Sequence, residues 1–269
     1  MAYSVHSMRQ RCGHDVTIFF FPTEQQGLER NLFQDFHNLP PQKTQMSATA
    51  SDPAIAWYVP NVIGYARAIF TVWSLYVAPS QPVTCLVLYV LSFVLDAADG
   101  HAARMLNQCS KFGAVLDMVI DRASTSGFLV ILASLLGSEV WSFPAAMLIM
   151  LDLVSHYVRM YSSLTIGESS HKNTDKIRFR FLRHYYGNKP FMCFLCVGQE
   201  AMYLCLYAQH FFPLAFGSNP AVWQGILVAL FLPFAGKQWA NVLQLVDGMM
   251  ALADTDVADF HRQRGARRS

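Results

Sequence analysis

The chain has 269 residues, of which 53% are hydrophobic and only 14% are charged. Ordinary soluble domains are about 45–50% apolar and about 25% charged, so this composition argues against a water-soluble enzyme. Twenty basic and 18 acidic residues give a formal charge of +2, which is too balanced to indicate a nucleic-acid partner. The six cysteines lie mostly in or beside apolar stretches, so we expect reduced, structural thiols and no disulfide framework.

The N-terminal segment is polar and mixed in composition. Its one apolar burst, Ile18 to Phe21, is too short to span a bilayer, and no apolar core of a signal peptide is present. We therefore expect residues 1–55 to form a flexible cytosolic extension. Met46 is a second plausible start, which suggests the hypothesis that the first 45 residues are dispensable.

Six apolar runs follow, each close to the roughly 20 residues that cross a hydrocarbon core. They are Ile63 to Ala78, Pro82 to Leu95, Gly113 to Leu136, Val140 to Leu164, Phe191 to Phe212 and Ala221 to Met250. The second run is short, so we expect its helix to continue into the segment that contains Asp96. The pattern predicts an all-α integral membrane protein with six transmembrane helices in a domain spanning residues 56–255.

Basic residues lie on one side of these predicted spans. The turns near Pro79 to Pro82, Gly137 to Ser142 and Phe211 to Trp223 contain no lysine or arginine. Basic residues gather instead at Lys111, between Lys172 and Lys189, and in the tail. The positive-inside rule then predicts that both termini face the cytosol, including a basic cytosolic tail at residues 256–269.

Four aspartates lie at the facing ends of the second and third predicted spans. Asp96 and Asp99 are spaced i,i+3, and Asp117 and Asp121 are spaced i,i+4, so each pair projects from one helical face. A hairpin between the helices would bring together four hard oxygen ligands, which suit Mg²⁺ or Mn²⁺. Two divalent ions would offset the four negative charges, whose burial near lipid is otherwise costly.

Small residues surround these carboxylates and would allow a bulky phosphorylated ligand to approach the backbone. Gly100, Ala103 and Gly113 are among them, and Arg104 offers a planar fork suited to a phosphate oxygen. The combination indicates a diphosphate site. A helix-packing face remains an alternative for Gly100 taken alone, and a proton or ion relay for one or two intramembrane aspartates.

This stretch resembles the CDP-alcohol phosphotransferases, a family of six-helix integral membrane enzymes. The matching pattern is Asp96-x2-Asp99-Gly100-x2-Ala103-Arg104-x8-Gly113-x3-Asp117-x3-Asp121. The resemblance implies a CDP-diacylglycerol donor, two divalent ions, a polar active-site cavity that faces the cytosol, and a homodimer. It also implies that the four aspartates hold the ions and that Asp121 is nearest to the attacking hydroxyl. Nucleotide contacts are implied for Gly100, Ala103, Arg104, Ser110 and Gly113.

Within the family, the stretches VPNVIGYAR, SHYVRMYSS and GESSHK resemble the eukaryotic members that use myo-inositol as acceptor. We therefore expect an enzyme of phosphatidylinositol synthesis in the endoplasmic reticulum membrane. Asp121 is the candidate general base. For the inositol ring, whose hydroxyls need several donors and acceptors, the favoured pair is His156 and Arg159, one helical turn apart.

Three other functions remain open at this stage: a phospholipid synthase with a glycerol phosphate or amino-alcohol acceptor, an ion-coupled transporter, and a membrane scaffold. A transporter would not require the small residues at the signature spacing, and a scaffold leaves the aspartates unexplained.

Cys193 and Cys196 have the spacing of half a zinc site, but apolar packing is favoured. Lys237 lies in the middle of the last predicted span and requires a partner that the sequence does not identify.

Overall fold

The computed structural model describes residues 53–165, 177–213 and 220–266. These parts of the chain contain a 3-10 turn at Pro53–Trp57 and α-helices, with no strand among them. The helices are α1 (Val59–Val77), α2 (Pro82–Met105), α3 (Lys111–Leu136), α4 (Ser138–Thr165), α5 (Arg180–Gly187), α6 (Lys189–Phe211) and α7 (Pro220–Ala266).

Five of the described helices, α2, α3, α4, α6 and α7, are long and apolar enough to cross a membrane. They correspond to five of the six predicted spans. The remaining prediction coincides with α1, which is 19 residues long but carries polar side chains such as Asn61 and Arg67 and is not in that set. The expected continuation of the second span is confirmed, because α2 runs without interruption through Asp96 to Met105.

The helix ends follow from local sequence chemistry. Proline occupies the first turn of α1, α2 and α6, where its missing N–H costs nothing. The Ser110 side chain caps α3 by accepting a hydrogen bond from the Gly113 N–H at 3.0 Å. Gly137, with φ of 111°, forms the turn between α3 and α4, a conformation that glycine adopts without strain.

Aromatic side chains form the centre of the apolar core. The Phe128 ring lies 4.6 Å from the ring centroid of Tyr89 and 5.4 Å from that of Tyr207. The Tyr207 hydroxyl donates to the carbonyl oxygen of Ala78 at 2.6 Å. This cluster therefore joins α2, α3 and α6, about two helical turns from the aspartates along α2 and α3.

Contacts between α3 and α4 and between α6 and α7 show that these consecutive long helices are antiparallel. Arg122 of α3 meets Asp152 of α4, and Gly198 of α6 lies against Pro233 of α7, so closely that a Cβ at Gly198 would come within 2.4 Å of the proline ring. One end of the bundle consequently contains the end of α2, the start of α3, the end of α4, all of α5 and the start of α6. We call this the polar end.

Helix α7 is longer than its predicted span. Its 47 residues extend about 70 Å at 1.5 Å per residue, against a hydrocarbon core of about 30 Å. The helix must therefore project well beyond the membrane. Residues 256–266, expected to belong to a basic tail, continue α7 without a break.

Candidate active site

The four aspartates of the α2–α3 hairpin converge at the polar end of the bundle. Ligand oxygens of Asp96, Asp99 and Asp117 lie within 4.8 Å of one another. Asp121 follows one turn beyond Asp117 and contacts the same arginine as the other three. The two aspartate pairs, each predicted to project from one face of its helix, therefore lie together. We call Asp96, Asp99, Asp117 and Asp121 the acidic cluster.

Arg67 of α1 lies inside this cluster. Its Nη1 donates to Asp99 at 2.6 Å and to Asp117 at 2.7 Å, while Nη2 lies 2.6 Å from oxygens of both Asp96 and Asp121. The Arg67 side chain is only 3% exposed. Sequence reasoning did not single out Arg67 as a site residue, although a charged residue within an apolar helix indicates a polar partner.

The cluster can hold divalent cations by its donor chemistry. Every candidate ligand atom is a carboxylate oxygen, the hard donor that Mg²⁺ and Mn²⁺ prefer. One guanidinium against four carboxylates leaves an excess of negative charge. Each aspartate uses one oxygen for its shortest contact with Arg67, and Oδ2 of Asp121 lies 3.5 Å from Nη2 of Arg122.

A cleft of about 170 Å³ opens beside the cluster between α1, α2 and α3. Its lining includes Asp99 and Asp117 together with all the residues for which nucleotide contacts were implied: Gly100, Ala103, Arg104, Ser110 and Gly113. The guanidinium of Arg104 lies over Gly100, where an added Cβ would stand 3.4 Å from Nη1. The cleft therefore has a floor of small residues, a cation above it and carboxylates at one side.

Gly113 is required here by a close approach. An added Cβ would lie 2.8 Å from the side-chain oxygen of Asn61, and Asn61 is held by donating to the carbonyl oxygen of Ile55 at 2.6 Å. A larger residue would push α1 away from α3. Ser110, besides lining the cleft, uses its hydroxyl as the cap of α3.

His156 and Arg159 lie on α4, at the edge of a second polar network that includes Asp152 and Asp247. The Nδ1 atom of His156 is 2.7 Å from the carbonyl oxygen of Asp152, and Nη1 of Arg159 donates to Asp247 at 3.3 Å. The Arg159 guanidinium also lies 5.2 Å from the ring centroid of Tyr186. Both side chains are about one-fifth exposed, at 20% and 19%.

The acidic cluster is connected to buried charges of α4 and α7 through Arg122. Nη2 of Arg122 lies 3.5 Å from Oδ2 of Asp121, and Nη1 donates to both oxygens of Asp152 at 2.7 and 2.9 Å. Asp152 also accepts from Asn241 at 3.2 Å. Sequence reasoning missed this connection, because nothing in the spacing of the chain pairs α3 with α7.

Lys237 finds its partners in the same network. Its Nζ donates to Oδ1 of Asn241 at 2.5 Å and lies 3.9 Å from Asp152. Lys237 is only 2% exposed, so these contacts provide the polar surroundings that a lysine within a span requires.

Comparison with known proteins agrees with this geometry. The profile of the CDP-alcohol phosphatidyltransferase family matches residues 57–215. The human protein named "CDP-diacylglycerol--inositol 3-phosphatidyltransferase" is 41% identical over 215 residues, covering 79% of this chain and 99% of its own length. A Candida albicans protein of the same name is 38% identical over 234 residues, covering 84% of this chain and 96% of its own length.

A Saccharomyces cerevisiae protein, again of the same name, is 38% identical over 210 residues, covering 78% of this chain and 92% of its own length. No solved structure gives a significant match. The family profile covers more than half of the chain, and these relatives align over nearly their whole length. This chain therefore belongs to the CDP-alcohol phosphatidyltransferase family.

Proposed function

We propose that this chain transfers the phosphatidyl group from CDP-diacylglycerol to myo-inositol, giving phosphatidylinositol and CMP. The observation that carries the proposal is the cleft that joins Gly100, Ala103, Arg104, Ser110 and Gly113 to the acidic cluster. It offers a place for a nucleotide diphosphate next to four carboxylates. The names of the human and fungal relatives supply the acceptor.

Asp96, Asp99, Asp117 and Asp121 would hold two divalent ions, Mg²⁺ or Mn²⁺. When bound, such ions neutralise a diphosphate and polarise its phosphoryl oxygens. The all-oxygen donor set supports this assignment. Arg104 also lines the cleft, and its guanidinium can donate hydrogen bonds to a phosphate oxygen of the same diphosphate. This contact supports the proposed diphosphate site.

Asp121 is the proposed general base. In the proposed reaction, an inositol hydroxyl oxygen bonds to the phosphorus attached to diacylglycerol, and the hydroxyl proton passes to Asp121. The bond from that phosphorus to the CMP oxygen breaks, and CMP leaves with the electron pair. Oδ1 of Asp121 accepts from Arg67 at 2.6 Å, whereas Oδ2 has only the longer 3.5 Å contact with Arg122, so Oδ2 is the better placed to take a proton.

His156 and Arg159 are the proposed inositol contacts. Because a carbonyl oxygen can only accept, the Nδ1 atom of His156 donates to Asp152, and a neutral ring then presents Nε2 as an acceptor. Arg159 keeps further N–H groups beyond its contact with Asp247. One acceptor and several donors suit a ring of hydroxyls.

The proposed setting is a multi-pass protein of the endoplasmic reticulum membrane, with the active site and both termini facing the cytosol. The apolar length of α2, α3, α4, α6 and α7 supports membrane insertion, and α1 is the proposed sixth span. The proposal keeps residues 1–55 as a cytosolic extension, residues 56–255 as the catalytic domain and residues 256–269 as the basic cytosolic tail. It also keeps the homodimer that the family resemblance implies.

The experiment is an acceptor panel with purified protein. CDP-diacylglycerol would be combined separately with labelled myo-inositol, serine, choline and glycerol 3-phosphate, and both labelled lipid and released CMP would be measured. We expect labelled lipid and released CMP with myo-inositol, and neither product with the other three acceptors. A dominant glycerol 3-phosphate product would leave the family assignment in place and overturn the acceptor, whereas absence of CMP release with every acceptor would favour a transporter or scaffold.

A further inference from the structure

Four basic side chains surround an open pocket at the corner between α5 and α6. The pocket measures about 770 Å³, and Arg180, Arg183, His184 and Lys189 contribute to its lining. We call these residues the basic corner. None of them lies in the acidic cluster or in the cleft beside it, and the proposed reaction uses none of them.

Helix α5 is amphipathic, and the basic corner lies on its exposed side. Leu182 is fully buried and Tyr185 is 4% exposed, and both belong to an apolar cluster with Leu195 and Leu243. Arg180, Arg183 and His184 are exposed. The buried side thus fixes α5 to α6 and α7, and the basic side is turned outward.

A hydrogen bond strengthens the attachment of α5 to α7. The Tyr186 hydroxyl donates to Oε1 of Gln244 at 2.7 Å. The position of the basic corner is therefore set by packing on both neighbouring helices.

The cations of the basic corner lack carboxylate partners within the parts of the chain that the structure describes. Two other exposed arginines at this end are paired: Arg178 with Asp254, and Arg262 with Asp259. Arg183 donates to the carbonyl oxygen of Ile177 at 2.9 Å, which leaves its charge uncompensated. No ion pair involves Arg180 or Lys189 among the described residues.

The start of α6 adds to the positive potential. Lys189 is the first residue of this 23-residue helix, whose macrodipole favours anions near its start. The Asn188 side chain already accepts from the Phe191 N–H at 3.2 Å and Pro190 has no N–H, so the lysine and arginine side chains are the available donors. Three cationic side chains around one pocket, with the α6 macrodipole behind them, are a suitable environment for a phosphate group.

We propose that the basic corner binds the phosphate-bearing headgroup of an acidic phospholipid in the surrounding bilayer. A lipid is favoured over a soluble anion because the corner lies at the first turn of α6, a helix able to cross the membrane, and therefore at the level of the headgroups. An amphipathic helix with a basic outer side at this level is typical of binding to anionic membrane surfaces. The inference requires a membrane-inserted chain and does not depend on which alcohol is the acceptor.

The test measures lipid retention by the whole protein. Wild type and the double variant R180Q/K189Q would be reconstituted into nanodiscs of phosphatidylcholine with or without phosphatidylserine, and retained lipids would be counted by native mass spectrometry. Arg183 is left unchanged because it also bonds to the backbone. R262Q is the matched control, since it removes an exposed arginine that already has a carboxylate partner.

We expect wild type and R262Q to retain phosphatidylserine in preference to phosphatidylcholine. The preference of R180Q/K189Q should fall by more than about tenfold, because each basic residue near a membrane surface contributes roughly a fivefold preference. High salt should reduce the wild-type preference toward that of the variant. If the double variant melts well below wild type in phosphatidylcholine alone, R180Q and K189Q are measured singly against the same expectation of roughly fivefold each.

Two results would overturn the proposal. One is an unchanged phosphatidylserine preference in every variant of the basic corner. The other is displacement of the retained lipid by millimolar inorganic phosphate at constant ionic strength, which would identify a site for a soluble anion. Failure of the acceptor panel would affect neither measurement, so the two proposals are tested separately.

Discussion

Arg67 has the most extensive polar contacts of any single side chain in the candidate active site. Its guanidinium contacts four carboxylates that belong to two helices. Repulsion among those carboxylates would otherwise oppose the close approach of α2 and α3. Arg67 therefore stabilises the acidic cluster, and a divalent cation bound by the same carboxylates would compete with it.

Arg67→Gln should consequently lower the melting temperature in the presence of chelator, since breaking a buried ion pair costs about 3–5 kcal/mol. Added Mg²⁺ should raise the melting temperature more in the variant than in wild type, because the cation replaces the missing charge. Arg67→Lys keeps the charge without the planar fork, so its melting temperature in chelator should lie between those of wild type and Arg67→Gln. Equal melting temperatures of wild type and Arg67→Gln in chelator would contradict this role.

Asp121 is the residue at which ligand binding and proton transfer can be separated. Asp121→Asn keeps the size of the side chain and removes its charge and most of its basicity. Turnover should fall at least about 10²-fold, the low end of a general-base contribution, while CDP-diacylglycerol still binds through the other ligands. Rates with labelled inositol and equilibrium binding of the donor would be measured in parallel.

The comparison variants are Asp96→Asn and Asp117→Asn. Because these residues are proposed as metal ligands only, both changes should weaken donor binding along with turnover. Near-normal turnover of Asp121→Asn would remove Asp121 as the base.

At the level of the helices, Asp152 joins α3, α4 and α7. It accepts hydrogen bonds from Arg122 and Asn241 and lies 3.9 Å from the ammonium of Lys237. Only 3% of Asp152 is exposed. One carboxylate therefore contacts two cations from different helices, the partly buried Arg122 and the buried Lys237, and its loss should loosen the packing of all three helices.

Asp152→Asn should lower the free energy of unfolding by about 3–5 kcal/mol, the cost of leaving a buried charge unpaired. Asp259→Asn is the control, since it breaks the exposed i,i+3 pair with Arg262 and should change stability by no more than about 1 kcal/mol. Thermal unfolding in nanodiscs would compare them. An effect of Asp152→Asn no larger than that of the control would show that the network does not stabilise the bundle.

At the level of the whole molecule, the direction of the helices relates the active site to the two sides of the membrane. The acidic cluster, α5 and the far end of α7 share the polar end of the bundle, and basic residues predict that this end faces the cytosol. Inositol and CMP could then exchange with the cytosol while the acyl chains remain in lipid.

This arrangement predicts the outcome of protease digestion of sealed microsomes. Tags at the N-terminus and the C-terminus should both be removed, whereas a tag inserted at Gly137, in the turn between α3 and α4, should be protected. Western blotting of the three tagged proteins measures this. Protection of either terminal tag would contradict the six-span arrangement.

The local features of this protein could be predicted from its sequence. The length of the apolar runs predicted six spans, and five of them are helices long and apolar enough to cross a membrane. The i,i+3 and i,i+4 spacing of the aspartates places each pair on one side of its helix. The family signature could be recognised for the same reason, because all of its residues lie in one hairpin between Asp96 and Asp121. Such features depend on neighbours within a few helical turns.

Only the tertiary structure decided which distant charged and polar side chains meet. Arg67 reaches Asp121 across 54 positions, and Asn241 reaches Asp152 across 89. The helix α5 lies in a segment that the sequence indicated only as a basic connection. Partner choice among buried charges depends on how the helices pack, since a charge near the membrane interior is stable only where packing brings it an opposite charge or a polar group. Apolar periodicity identifies each helix alone and contains no information about its neighbours.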